Sequence, residues 1–253
     1  MLFEPERTPY DLHWRMLGIP VRVHPFFWLF SAILGWNQLQ EGLPFLILWI
    51  VCVFVSVLIH ELGHIFAGRL FGESGHIVLY SFGGLAVGSN ALPSRWQRIT
   101  VSFAGPAAGF LFCGLVYLAF TLPDKPPVSP LAEAAFDFLM WINLGWGILN
   151  LLPIWPLDGG QICREICEGL DPQRGGRIGY GISTVTAGLL ALHALLLTMK
   201  RPIPALEDVP FLRNLSGFYM VVLFGFLAFN SWQRLQYESN RRPWDDRGDY
   251  WRG

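Results

Sequence analysis

Six apolar segments, near residues 25–41, 44–68, 99–121, 133–152, 179–199 and 214–232, run through the chain. Each approaches the roughly 20 residues an α-helix needs to cross a bilayer. In lipid every backbone polar group must be satisfied within the structure, so such segments are read as helices. Only 15% of the residues are charged and 53% are hydrophobic, whereas soluble domains carry about a quarter charged residues. The pattern predicts an all-α polytopic membrane protein of about six transmembrane helices. Residues 1–24 form an N-terminal segment, 25–232 the membrane domain and 233–253 a tail. The first apolar segment is the weakest, being short and interrupted by Gly35 and Asn37, and a half-inserted segment is its alternative.

The charges sort by side. If all six segments cross, the N-terminus, loops 69–98 and 153–178, and the C-terminal tail share one face. That face holds 14 of the 18 Lys and Arg residues. By the positive-inside rule both termini are expected in the cytoplasm. A net charge of -1 argues against a nucleic-acid partner. Residues 1–24 hold no apolar core of a cleavable signal peptide. Residues 122–130, LPDKPPVSP, are read as a tight connection. Cys163 and Cys167, four residues apart, match neither a redox nor a zinc-knuckle spacing and are read as reduced structural residues.

The second apolar segment contains His60-Glu61-Leu62-Gly63-His64. On a helix, residues i and i+4 share a face about 6 Å apart, so the two imidazoles stand side by side with a carboxylate next to them. This is the H-E-x-x-H pattern, in which two histidines bind zinc and the Glu acts as general base. A satisfied core histidine is the ordinary reading of a single His in an apolar helix. A glutamate at membrane depth, however, costs on the order of 2.5–3.5 kcal/mol, which makes it a functional candidate. Ser56 precedes His60 by one turn, and a hydroxyl back-bonded to the Cys52 carbonyl is its simplest role. If the helix starts near Leu43, His60 lies roughly 25 Å along it, in the cytoplasmic third of the bilayer.

Catalytic zinc takes three protein ligands and leaves a position for water. Candidates for the third are Glu73, Asp158, Glu165, Asp171, His24 and His76. Asp158 stands out because Pro153 and Pro156 stop the preceding helix and Gly159-Gly160 permit close backbone approach. Its spacing to Gln161 equally fits a capping box at the start of the next helix, so ligation and capping stay open on the residues alone.

HELGH in one segment and Asn150-Leu-Leu-Pro153-Ile-Trp-Pro156-Leu-Asp158-Gly159 in another together resemble the site-2 protease family of intramembrane zinc metalloproteases. The segments GIPVRVHPFFWLF (18–30) and HIVLYSFGGLAVG (76–88) are similar to the opening and to the membrane-associated β-loop of its compact bacterial members. The resemblance runs from about 18 to 160 and includes no PDZ or CBS domain. It departs at Gly109 of FAGPAAGF, where the family pattern has Asn.

The resemblance implies His60, His64 and Asp158 as ligands of one Zn2+, Glu61 as catalytic base, and Asn150 as a polar group assisting substrate or oxyanion binding. It implies an integral protein of the bacterial inner membrane that cleaves transmembrane protein substrates. The β-loop is expected either to pair with an unwound substrate segment along an exposed edge or to plug the cavity. Two other classes compete. One is a pseudoprotease that binds or escorts membrane clients; the other is a six-helix transporter, which does not require the H-E-x-x-H spacing.

Overall fold

The computed structural model describes residues 4–81, 83–88, 92–121, 129–201, 203, 209–213, 215 and 217–240. The Pro-rich connection at 122–128 and the tail beyond 240 therefore lie outside the described residues. The chain divides into two compact units, Met1–Leu151 and Leu152–Gly253.

The first unit contains strands β1 (Leu12–Met16) and β2 (Ile19–Val23), helix α1 (Pro25–Leu34), a 3-10 turn (Trp36–Gln40) and helix α2 (Leu43–Leu70). Strands β3 (His76–Tyr80) and β4 (Gly83–Val87) and helices α3 (Arg95–Thr121) and α4 (Pro130–Leu151) follow. The second unit contains α5 (Asp158–Leu170), α6 (Gly175–Thr198), the short α7 (Pro210–Arg213) and α8 (Phe218–Asn240).

Among the described residues four helices, α2, α3, α4 and α6, are long and apolar enough to cross a membrane. The other two expected crossings differ. Residues 25–41 form a ten-residue helix followed by the 3-10 turn, and ten helical residues rise only about 15 Å, half a bilayer core. Helix α8 begins at Phe218 and continues to Asn240, past the expected boundary at 232.

The β-loop is a hairpin with β3 antiparallel to β4, and its Gly83-Gly84 pair does not form the turn but begins β4, opposite Tyr80 and Leu79. It is not alone. The strand order is β1-β2-β3-β4, with β2 parallel to β3. β1 and β2 join through Leu17 and Gly18, both at positive φ, the conformation a two-residue hairpin turn requires. β2 and β3 are thus neighbours in one sheet, and the chain between them travels out along α1 and the 3-10 turn and back along α2.

The return is visible in the packing. Val21, Val23 and Phe27 pack with Val57, Leu58 and Ile65 in the second half of α2. At the far end of α1, the Trp49 indole Nε1 donates to the Ser31 carbonyl at 3.1 Å. The segment before α1 and the segment after α2 therefore lie together even though α1 is short.

Candidate metal centre

His60 and His64 fall in α2 at the level of the sheet, and both are buried. Their rings sit edge-to-face with centroids 4.9 Å apart, and the two Nε2 atoms are 3.2 Å apart. His64 Nδ1 lies 2.7 Å from the Val101 carbonyl of α3. A carbonyl only accepts, so Nδ1 carries the proton and the His64 Nε2 lone pair is left facing His60. Two imidazole nitrogens so placed need a proton or a cation between them, and a histidine oriented by a backbone carbonyl suits a metal.

The space around them is made by absent side chains. A Cβ on Gly105 would lie 2.3 Å from His64 Nε2 and 2.9 Å from His60 Nε2. A Cβ on Gly63 would lie 2.4 Å from the Ala104 carbonyl. α2 and α3 therefore approach through small residues, the usual way helices pack closely in lipid.

Glu61 is buried beside the pair. A Cβ on Gly84 would come within 2.2 Å of Glu61 Cγ and 2.4 Å of Oε1, so the β4 backbone rests on the carboxylate. Gly83, at φ +128, lies against the Trp146 ring. β4 is the outer strand of the sheet. β3 pairs on both sides, so the edge expected within 76–88 is β4.

Two amides of α4 are buried in the same unit. Asn150 Nδ2 donates to the Trp146 carbonyl one turn back, at 3.0 Å. Asn143 Nδ2 donates to Ser56 Oγ at 2.9 Å, so Ser56 bonds across to α4, a contact not anticipated by the back-bonding reading. A Cβ on Gly109 would lie 3.6 Å from Asn143 Oδ1. At the position where the family pattern has Asn, a polar atom from α4 thus stands opposite.

Asp158 belongs to the second unit. It is buried and is the first residue of α5; Leu157 occupies the cap position and makes no side-chain cap bond. The capping reading therefore fails on position. The Asp158 turn is compact: Leu157 N donates to the Ile154 carbonyl at 2.8 Å, and Ile154 is fully buried.

Four of the other five candidates have side-chain partners elsewhere, and Glu73 follows the end of α2, where its N donates to the Gly68 carbonyl at 3.0 Å. His24 caps α1 by accepting from Phe26 N at 3.2 Å. His76 Nε2 is 3.5 Å from Glu4. Glu165 pairs with Arg164 at 3.1 Å, and Asp171 Oδ1 accepts from Gln173 N and Arg174 N at the start of α6.

Sequence reasoning did not find Val101, Gly105 or Asn143. Val101 acts through its backbone, which leaves no residue signature. The Gly105–Gly109 spacing on α3 was the available signal for the other two.

The model of peptidase family M50 matches residues 48–135 and 125–192. A putative zinc metalloprotease, sll0528, of Synechocystis sp. is 33% identical over 164 residues, covering 60% of this chain and 42% of that protein. The zinc metalloprotease MJ0392 of Methanocaldococcus jannaschii is 32% identical over 154 residues, covering 60% and 44%. Stage IV sporulation protein FB of Bacillus subtilis is 32% identical over 151 residues, covering 59% and 48%. The chain thus spans less than half the length of these curated relatives. The structure titled site-2 protease from Methanocaldococcus jannaschii aligns over 89% of this chain and 95% of its own with a TM-score of 0.57 at 23% identity, which is a likeness of fold.

Proposed function

The chain belongs to peptidase family M50, the site-2 protease family, and from that premise we propose that it is an intramembrane zinc metalloprotease cleaving peptide bonds within or next to transmembrane segments of membrane-protein substrates. The observation that carries the reading is the pair of facing Nε2 atoms 3.2 Å apart, with the His64 tautomer set by the Val101 carbonyl and Glu61 buried alongside.

In this reading His60, His64 and Asp158 would hold one zinc ion, two imidazoles and one carboxylate being the donor set of catalytic zinc sites. The chemistry such an ion supplies is acidification of water toward pKa 7 and polarisation of a carbonyl. Glu61 takes a proton from the attacking water and returns it to the leaving amine. Val101 keeps the His64 Nε2 lone pair available. Asn150 spends one amide N–H on Trp146 and offers the other to the oxygen on which charge develops.

A helical substrate must unwind to present its scissile carbonyl. β4, the outer strand among the described residues, rests on Glu61 through Gly84, which supports strand addition beside the base. Proline placed in turn at Leu85 and Ala86 tests this, because proline removes a ladder donor. Loss of cleavage with zinc retained is expected; unchanged cleavage contradicts strand addition.

For topology we infer both termini on the cytoplasmic side of a bacterial inner membrane. α1 with its 3-10 turn takes the chain outward and α8 makes the last crossing, so the count is six if the short first passage is included. Labelling single cysteines at residues 8 and 90 from each side of sealed vesicles tests the shared side; labelling from opposite sides contradicts it.

The reaction is tested with Glu61→Gln in the purified full chain. Retained zinc with lost cleavage is expected, and equal cleavage by variant and parent contradicts the base.

A further inference from the structure

Three contacts from separate helices of the second unit meet at Trp155, three residues before Asp158. Its indole lies beneath the Arg164 guanidinium of α5, with Cζ 5.7 Å from the ring centroid. Tyr180 of α6 meets the same indole edge-on at 5.6 Å and 84°. The Trp155 carbonyl accepts from Ser231 Oγ of α8 at 3.1 Å, and Ser231 is fully buried. Arg164 is in turn held on its own helix, with Nη2 3.1 Å from Glu165 Oε1 and Nε 3.7 Å from Glu168 Oε1. Helices α5, α6 and α8 thus all hold one residue of an otherwise irregular segment.

The link from Trp155 to Asp158 is short and stiff. Besides the Leu157 N–H to Ile154 carbonyl bond of 2.8 Å, Gly160 packs so closely that a Cβ there would lie 2.3 Å from Ile154 C and 2.4 Å from Trp155 N. The first turn of α5 therefore packs directly on the backbone at Ile154 and Trp155.

We propose that Trp155, clamped by Arg164, Tyr180 and Ser231, is the positioning residue that sets the direction of the Asp158 carboxylate as a metal ligand. The proposal rests on the reading of Asp158 as a zinc ligand. Ser231 lies beyond residues 48–192 matched by the family model, so the α8 contribution comes from this structure. The planar guanidinium matters because it stacks on an aromatic face as an ammonium does not. Groups that orient a metal ligand typically govern affinity by 10–100-fold.

The test uses the purified full chain in detergent. Zinc affinity is measured by chelator competition, the absorption bands of the cobalt(II)-substituted protein report ligand geometry, and the unfolding temperature of the metal-free protein serves as the folding control. Arg164→Lys keeps the charge beside Glu165 and Glu168 but removes the stacked plane; Trp155→Leu removes the ring; Trp155→Phe restores an aromatic face. Arg164→Lys and Trp155→Leu are expected to weaken zinc binding about 10–100-fold and to shift the cobalt bands. Metal-free unfolding should stay unchanged in Arg164→Lys, and Trp155→Phe should recover most of the affinity.

Unchanged affinity in Arg164→Lys and Trp155→Leu overturns the clamp, as does a loss that follows metal-free stability alone. Asp158→Ala separates the two layers. If it lowers affinity while the clamp variants do not, the clamp falls and the ligand reading stands; if it binds zinc as tightly as the parent, both fall.

Discussion

The histidine pair and the Asp158 turn are built by opposite means. His60 and His64 stand together because a helix has 3.6 residues per turn, and α2 runs unbroken for 28 residues around them. What the fold adds is small: one carbonyl from Val101 and the missing side chain of Gly105. Asp158 has no such local rule behind it. It begins a helix after a proline-broken segment, whose Trp155 is held by residues far along the chain, Tyr180 and Ser231. A donor set by helical spacing should tolerate distant change and respond sharply to its immediate neighbours. A donor set by packing should respond to both.

The largest expected effect lies on the helical side. Glu61→Gln should lower cleavage by about 10²–10⁴-fold while zinc content, measured by elemental analysis, stays at the parent level. Loss of zinc in that variant would show that the helix-borne group is less independent than the comparison holds.

Gly105→Ala follows. Its Cβ enters the space 2.3 Å from His64 Nε2, and zinc affinity by chelator competition should fall on the order of 10–100-fold. Parent-like affinity would mean that α3 gives way and that the pair is looser than its spacing suggests.

Asn143→Leu tests a neighbour that holds α2 to α4 without touching the histidine rings. Loss of its 2.9 Å bond to Ser56 should cost about 1–2 kcal/mol of stability, read from unfolding in mixed micelles, with zinc affinity kept.

The smallest effect belongs to the opposite edge of the sheet, where a partly buried ionic cluster closes β1 and β2. Arg22 lies 2.9 Å from Asp11 and 2.9 Å from Glu4. Burial pushes the Asp11 carboxyl up, but hydrogen bonds from Thr8 and Arg22 outweigh it and hold the pKa at about 2, below the ordinary 3.8. A depressed carboxylate stabilises the fold fully above its unfolded value, and that contribution is lost as pH falls through the folded value. Hydrogen exchange in β1 should therefore accelerate between about pH 4 and pH 2, and Asp11→Asn should be faster at neutral pH and lack this step. Identical pH profiles in parent and variant would remove the cluster from the account.

The same contrast explains what could be read from the chain. Hydrophobic length gave α2, α3, α4 and α6, because lipid imposes one solution on a long apolar run. The β-branched and aromatic run at 76–80 pointed to the β3–β4 hairpin, although Gly83 and Gly84 begin β4 rather than breaking it. β1 and β2 went unread because their alternation spans only five residues each, and their place in the sheet depends on a parallel partner more than fifty residues away. α1 was legible as the weak crossing for the reason its Gly35 and Asn37 suggested. At the site, residue type and spacing pointed to both histidines and the glutamate. For Asp158 the residues alone left capping and ligation level, and only the position of Leu157 at the cap removed the first. Carbonyl and glycine contributions such as Val101 and Gly105 have no side chain to announce them.

The most direct test of the central claim is zinc K-edge X-ray absorption on the purified full chain and on Asp158→Ala. One zinc per chain bound by two histidine nitrogens and a carboxylate oxygen is expected, with loss of the protein oxygen and weakened retention in the variant. Unchanged coordination and undiminished zinc in Asp158→Ala would contradict it.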